Sequence, residues 1–248
     1  GQLVKIKTSE IYRSAYERWK RYLEENNDTC KMCKGTLNGR LYLGLGEANP
    51  LETAVTLHHT YGVPFIPGST IKGVLHHALL ARYATEYNPK ENTFTVEPEY
   101  QHIIDILFGR VPNQGDPQDS GDAGYVVFND AWWIPDSNKL PLVNEIITVH
   151  HQKYYEGKGQ PATDFDSPNP NQQIAIQGEF LFSVQGEPSW VYFTLKLLQQ
   201  TLQNTGIGAK TSSGYGFLDV DVDVPVLEEI WSNAALTRFS NRDLGMAV

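Results

Sequence analysis

The segment GIGAKTSSGYG, from Gly206 to Gly216, combines residue types that suit a bound polyanion. Its glycines allow positive φ angles and close approach of the backbone to a partner. Its lysine and hydroxyl side chains match phosphate oxygens, and its tyrosine matches the face of a base or a sugar. We predict that the contacting residues of this Gly loop are Gly206, Gly208, Lys210, Thr211, Ser212, Ser213 and Tyr215.

The residues of the Gly loop do not fit a P-loop, but two other interpretations remain open. A P-loop needs Gly directly before its Lys and another Gly five residues earlier, but those positions hold Ala209 and Asn204. The predicted order of elements is helix, loop, strand, which is the reverse of a P-loop, so ATP or GTP hydrolysis is not expected. A glycine-rich turn that ends a helix with a Gly C-cap remains open. A small-molecule phosphate-binding protein whose loop holds a nucleotide also remains open.

A second candidate anion site lies at Pro67-Gly-Ser-Thr-Ile-Lys-Gly73, where a helix is predicted to begin. Unpaired N–H groups and the helix dipole favour an anion at such a position. Ser69 or Thr70 is predicted to cap the helix, Lys72 adds charge in the first turn, and His76 follows one turn later. The alternative is ordinary capping by serine and a solvated lysine.

A third candidate is the segment Val149-His-His-Gln-Lys-Tyr-Tyr155. Aromatic rings stack on splayed bases and lysine binds phosphate, so we predict an RNA or subunit contact by His150, His151, Lys153 and Tyr154. The alternatives are a mobile polar loop, or a histidine that acts as general base in metal-independent RNA cleavage. We assign no catalytic residue, because spacing alone does not supply the geometry that a base needs.

Composition limits the class of protein. The 248 residues carry 20 Lys+Arg against 29 Asp+Glu, a net charge of −9, which disfavours a general nucleic-acid binder but permits a local basic face. An apolar share of 40% is enough for a sizeable core. No apolar run is long enough for a transmembrane helix and no signal-peptide core is visible, so we expect a cytoplasmic protein without membrane contact.

Metal binding is not expected either. Cys30 and Cys33 form a C-x-x-C pair, but no second pair exists to complete a four-ligand zinc site. We predict two free thiols in a loop, and no cofactor. The acidic run at Asp116, Asp119 and Asp122 lacks the spacing of an EF-hand, so a solvated loop is the better interpretation.

Periodicity predicts an α+β fold. The predicted helices are Ser9–Glu25 with Ser9 as N-cap, a helix after Gly68, Trp190–Leu202, and an apolar helical patch at Ile103–Phe108. The predicted strands are Arg40–Gly46, Tyr125–Trp133, Ala175–Val184 and Phe217–Val224, with a loop at Asn26–Gly39. The order is β-α-β-β-α-β after an N-terminal helix, which is the ferredoxin-like arrangement that also underlies RRM-like RNA-binding domains.

We therefore expect a single domain over residues 1–248. Its expected parts are an N-terminal helical extension at 1–39, a ferredoxin-like core at 40–224, long insertions at 87–124 and 134–173, and a C-terminal tail at 225–248.

The motifs as a set resemble the RAMP superfamily of CRISPR systems, and within it the branch at the head of the type III-B effector, the Cmr complex. The segments that carry the resemblance are Leu57–Pro64, Pro67–Gly73, Thr148–Tyr155, Asp164–Pro170 and Gly206–Gly216. It implies a single RAMP domain that is a non-catalytic, crRNA-binding subunit and caps a filament of backbone subunits near the crRNA 3′ end. The implied partners are crRNA, target RNA, and other RAMP and small subunits of the Cmr complex. Another RAMP branch, the metal-independent CRISPR-repeat endoribonucleases, is the alternative.

Overall fold

The molecule is a mixed α+β protein with antiparallel sheets. It is represented by a computed structural model that describes residues 3–5, 7–45, 54–112, 115–116, 118–135, 140–149, 169–222 and 236. The helices are α1 (Glu10–Glu25), α2 (Gly68–Tyr83), α3 (Pro98–Phe108) and α4 (Pro188–Asn204). The first six strands are β1 (Cys30–Leu37), β2 (Phe65–Ile66), β3 (Ala84–Asn88), β4 (Thr93–Val96), β5 (Gly109–Arg110) and β6 (Asp122–Ala123). The remaining strands are β7 (Val127–Phe128), β8 (Ala131–Trp133), β9 (Leu142–Val149), β10 (Asn169–Ile176), β11 (Glu179–Gln185) and β12 (Leu218–Asp221).

The main sheet has the strand order β12-β1-β11-β8-β2, and β7 also pairs with β11. Every pairing in it is antiparallel. Helix α4 packs on β1, β11 and β12 and also contacts α2. Because α4 packs against both the sheet and α2, residues on most of its sides are buried. The smaller sheets are the hairpins β3–β4, β5–β6 and β9–β10.

Helix α1 begins and packs as its sequence indicates. The Ser9 side chain accepts a hydrogen bond from the Tyr12 N–H at 3.1 Å, which confirms Ser9 as the N-cap. The Tyr12 ring stacks on Trp132, and its hydroxyl donates to the Trp133 carbonyl at 2.5 Å. These contacts hold α1 against β8.

The first strand of the sheet lies where a loop was predicted. Cys30, Cys33 and Leu37 are buried on β1, so the prediction of a loop over Asn26–Gly39 is wrong. Polar Lys31 and Lys34 had obscured the pattern. The two cysteines form no disulfide with each other and lie on a strand. Burial raises the pKa of Cys33 to about 12.

The predicted strand at Arg40–Gly46 is also wrong over its described part. The chain makes only isolated bridges there, between Leu41 and Ile176 and between Tyr42 and Ala209. Leu41, Tyr42 and Leu43 are all buried, which differs from the alternation of a half-exposed strand.

Two predicted strands are each divided. Asn129 and Asp130 separate β7 from β8 within the predicted Tyr125–Trp133 strand. Gln177 and Gly178 separate β10 from β11 within Ala175–Val184, because Gly178 takes φ +108 against the Trp133 ring.

The predicted insertions contain regular structure. Segment 87–124 holds most of the β3–β4 hairpin, α3, β5 and β6, and α3 is longer than the predicted patch. The expected insertion at 134–173 contributes β9 and the start of β10, an antiparallel hairpin that pairs Leu142 with Ile176 and Val149 with Asn169. The predicted strand at Phe217–Val224 is confirmed over β12, whose residues alternate between buried and exposed. Among the described helices, none is long and apolar enough to cross a bilayer.

Candidate nucleic-acid interface

The inner half of the Gly loop is fixed by the fold. Gly206 follows α4 with φ +75, and its N–H donates to the Thr201 carbonyl at 3.0 Å, which confirms the Gly C-cap. A Cβ at Gly216 would lie 1.9 Å from the Ile207 carbonyl oxygen, and one at Gly208 would lie 2.3 Å from that of Tyr42. These three glycines are therefore required by backbone contacts within the chain.

The outer half of the loop is available to a partner. Lys210 has φ 62 and begins a short 3₁₀ turn at Thr211–Ser213. Its side chain is exposed, as are those of Ser212 and Ser213. Among the described residues, none accepts a backbone hydrogen bond from the N–H groups of Lys210, Thr211 and Ser212. Successive free N–H groups next to hydroxyls and a lysine form a concavity suited to an anion.

Tyr215 has a structural role in the loop. Its ring lies 4.9 Å from that of buried Tyr42, at an interplanar angle of 53°. Burial, and secondarily the neighbouring Tyr215, raises the pKa of Tyr42. Tyr215 is half-buried, so one part of its ring remains open beside the loop.

The start of α2 differs from its prediction. Pro67 occupies the N-cap position, and neither Ser69 nor Thr70 caps the helix through its side chain. The N–H of Gly68 instead donates to Asp130 Oδ1 at 2.8 Å. Asp130 reaches this position because β7 and β8 are separated there. The positive end of the helix thus already has a carboxylate from the protein itself.

A groove of about 800 Å³ runs along one side of α2. Its walls come from the first turns of α2, the end of α3, β5, β6 and β7. Ser69 and Lys72 are exposed at its rim, and the half-buried His76 ring contacts Phe108 edge-on at 5.1 Å. Burial lowers the pKa of His76, and Lys72 lowers it further, against the opposing effect of Asp105.

Arg110 in this larger groove was not predicted from sequence. Its guanidinium binds Asp119 through two contacts of 2.6 and 2.7 Å, and Asp122 at 3.1 Å. These carboxylates raise the pKa of Arg110 still further. The interpretation of the acidic run as a solvated loop is therefore wrong for Asp119, whose side chain is 16% exposed, whereas Asp122 is 70% exposed. The sequence signal for this ion pair was an arginine nine residues before an aspartate. That spacing matches neither helix nor strand periodicity, so the pair was not predicted.

A smaller groove of about 230 Å³ joins α2 to the Gly loop. Gly73, Val74, His77 and Ala78 line it from α2, and Thr205–Gly208 with Thr211 line it from the loop. Gly73 also lines the larger groove. The structure therefore brings the two predicted segments, 67–73 and 206–216, to adjoining surfaces that meet at Gly73.

The third predicted segment cannot be placed in this way. His150, His151, Lys153 and Tyr154 lie outside the described residues. Strands β9 and β10 lead to and from this segment. Its contact with RNA or a subunit stays a prediction.

Comparison with known proteins decides the family. The model of the RAMP superfamily matches residues 36–219. The chain belongs to the RAMP superfamily. This result confirms the resemblance seen in the motifs, and the matched region runs from β1 to β12, with both candidate segments inside it.

Individual relatives of this RAMP chain come from CRISPR systems. It is 29% identical to the CRISPR system Cmr subunit Cmr6 of Pyrococcus furiosus, over 83% of this chain and 74% of that protein. A chain in the cryo-EM structure of type III-B Cmr-beta bound to cognate target RNA shares the fold, with a TM-score of 0.59 and 18% identity. That match covers 86% of this chain and 66% of the other. The crystal structure of Cmr6 from Pyrococcus furiosus matches with 25% identity and a TM-score of 0.43, over 77% of this chain and 97% of the other.

Proposed function

We propose that this RAMP chain is a non-catalytic crRNA-binding subunit of a type III-B CRISPR effector, the Cmr complex. In this role it caps the filament of backbone subunits near the crRNA 3′ end. The similarity to Cmr6 supports the choice of complex. The observation that supports RNA binding is that the two grooves share Gly73. Lys72 lies beside this residue, and the Gly loop lines the smaller groove opposite it.

The chemistry of this surface suits a phosphate backbone. Lys72 is exposed at the rim of the larger groove and Lys210 is exposed on the Gly loop next to Thr211 of the smaller groove, so each supplies a point charge near the proposed path. The N–H groups of Thr211 and Ser212, which donate to no described residue, supply donors of fixed direction, and the hydroxyls of these residues supply rotatable ones. Gly73 lets a sugar–phosphate chain approach the helix closely, because no side chain projects there.

The bound Asp130 carboxylate refines the position of the phosphates. A phosphate at the first N–H of α2 would compete with Asp130 for the Gly68 donor. We therefore place the RNA backbone along the side of α2, between Lys72 and Thr211. Ser69 and Thr70 contact it through their hydroxyls from the edge.

The sheet order supports a ferredoxin-like core within a single domain over residues 1–248. Taking β1, β8, β11 and β12 as the four core strands, α2 lies between the first two and α4 between the last two. Their order across the sheet is fourth, first, third, second, and all are antiparallel. We assign this β-α-β-β-α-β core as RRM-like, with β2 and the hairpins as additions.

The proposed partners are crRNA, target RNA, and other RAMP and small subunits of the complex. A net charge of −9 repels polyanions at long range, so neighbouring subunits and the local donors must position the RNA. This role implies a cytoplasmic location. The endoribonuclease alternative would need a histidine base aimed at the RNA 2′-hydroxyl, whereas the half-buried ring of His76 packs edge-on against Phe108.

Filter binding with single-stranded crRNA tests the proposal. Lys72→Ala combined with Lys210→Ala should lower affinity about tenfold and reduce the slope of log K against log salt by roughly 1.4, from about 0.7 for each lost contact. Lys5→Ala combined with Lys7→Ala removes the same charge away from both grooves and should leave the slope unchanged. Unchanged affinity and unchanged complex assembly in the groove variant would rule out an RNA role for these loops.

A further inference from the structure

Three aromatic rings continue the smaller groove away from the Gly loop. His77, on the groove wall, contacts the Phe94 ring edge-on at 5.1 Å. Phe94 in turn lies 4.9 Å from Tyr87. Phe94 and Tyr87 are directly opposite each other in the β3–β4 hairpin, which extends from the C-terminal end of α2. The rings form a row that begins at the groove and ends at an exposed hairpin.

We propose that His77, Phe94 and Tyr87 form a stacking surface for unpaired nucleobases of single-stranded RNA. The inference rests on the proposed function and extends it, since the backbone of the same RNA lies in the smaller groove. Every base has a π-face, so stacking on such rings requires no particular sequence. The surface therefore belongs to a contact that holds RNA without selecting its bases.

Exposure supports a partner for these rings. Tyr87 is 51% exposed, and His77 is exposed beside the groove. The Tyr87 hydroxyl donates to Asn92 Oδ1 at 3.0 Å, which fixes the orientation of the ring. A ring held in one orientation loses little entropy when a base stacks on it.

The distribution of charge on the hairpin is compatible with RNA. Adjacent strand residues point to opposite faces, so Glu86 and Thr95, which pair with each other, lie on the face away from Tyr87 and Phe94. The carboxylate of Glu86 is thus directed away from the stacking face. The donors of the Gly loop next to His77 favour a nucleic acid over an apolar peptide as the occupant.

Photo-cross-linking of the full chain to RNA tests the inference. Single-stranded RNA that carries 5-iodouridine should form adducts in the peptide containing Tyr87 and Phe94. Tyr87→Leu keeps an apolar side chain but removes the π-face, and should weaken RNA binding about tenfold. Tyr87→Phe keeps the ring but loses the hydrogen bond to Asn92 that fixes its orientation, so it should bind more tightly than Tyr87→Leu and slightly more weakly than the wild type.

The salt dependence separates stacking from charge. Tyr87→Leu should leave the slope of log K against log salt unchanged, because stacking releases no counterions. The matched control is Tyr125→Leu, since Tyr125 is 63% exposed but contacts Trp190 on another surface. It should leave affinity and cross-links unchanged.

Several outcomes would overturn the inference. RNA binding that depends on Lys210 but is unaffected in folded Tyr87→Leu, with adducts only outside the hairpin, would overturn it and leave the proposed function intact. Lost complex assembly with unchanged RNA affinity would assign the rings to a protein contact instead. Absence of RNA binding by the wild-type chain would overturn the proposed function and this inference together.

Discussion

Gly73 offers a test in which stability and RNA binding should change in opposite directions. It lies in the interior of α2 and is exposed, and a Cβ built there meets no heavy atom within 4 Å. Alanine is favoured over glycine in a helix interior by about 1 kcal/mol. Gly73→Ala should therefore raise the free energy of unfolding by about that amount, since nothing in the described chain opposes the added methyl group.

RNA binding should respond in the other direction. Gly73 lines both grooves, so its new methyl group would occupy the surface where the RNA backbone is proposed to lie. Displacing that backbone from van der Waals contact should weaken affinity about tenfold, which corresponds to about 1.4 kcal/mol. The close approach of the RNA backbone would then explain why α2 has glycine at position 73, where alanine would make the helix more stable.

Urea unfolding followed by circular dichroism measures the first effect, and filter binding with crRNA measures the second. The control is Ala81→Gly, an exposed position about two turns further along the same helix that lines neither groove. It should lower the free energy of unfolding by about 1 kcal/mol and leave RNA affinity unchanged. If Gly73→Ala is more stable and still binds RNA like the wild type, the proposed position of the RNA backbone is refuted.

Three further predictions follow from the packing around the site. Asp130→Ala removes the acceptor of the Gly68 N–H and should lower the free energy of unfolding by about 1–2 kcal/mol. In urea unfolding this appears as a lower midpoint at constant m-value, and an unchanged midpoint would contradict the capping role of Asp130. Burial lowers the pKa of His76, so the unfolded chain binds its proton more readily and wild-type stability should fall as pH drops below about 6.5. In His76→Gln the free energy of unfolding should fall less than in the wild type between pH 7.5 and 5. Parallel curves of unfolding free energy against pH for the two proteins would contradict this contribution of His76. Because the pKa of Cys33 is raised to about 12, iodoacetamide should label it at pH 8 only after unfolding in urea, and fast labelling of the native chain would show an accessible thiolate.

Local signals explain which elements could be predicted from sequence. The apolar spacing of α1 and α4, and the Ser9 cap, depend on contacts within a few residues. The same holds for Gly206 at the end of α4. These features set the position of the Gly loop between a helix and a strand, which the structure confirms.

Long-range contacts explain the errors. Strand β1 is defined by its position between β11 and β12, and Gly35 on it fits where a Cβ would lie 2.6 Å from the Phe182 ring. Asp130 caps α2 from a position 62 residues away along the chain. No spacing rule connects residues at such distances, so a nearby serine had been the expected cap.

The glycine content of the loop is weaker evidence for RNA binding than it first appears in the sequence. Gly206, Gly208 and Gly216 are required by contacts with the backbone of Gly216, Tyr42 and Ile207, respectively, and would be present in a loop that bound nothing. Evidence for a partner must come from features that the fold does not need. Those are Gly73, which lines both grooves, the exposed Lys72 and Lys210, and the N–H groups in the outer half of the loop that donate to no described residue. The two interpretations of the Gly loop, a turn and an anion site, therefore apply to different halves of it. The inner half forms the turn, and the turn positions the outer half beside the grooves.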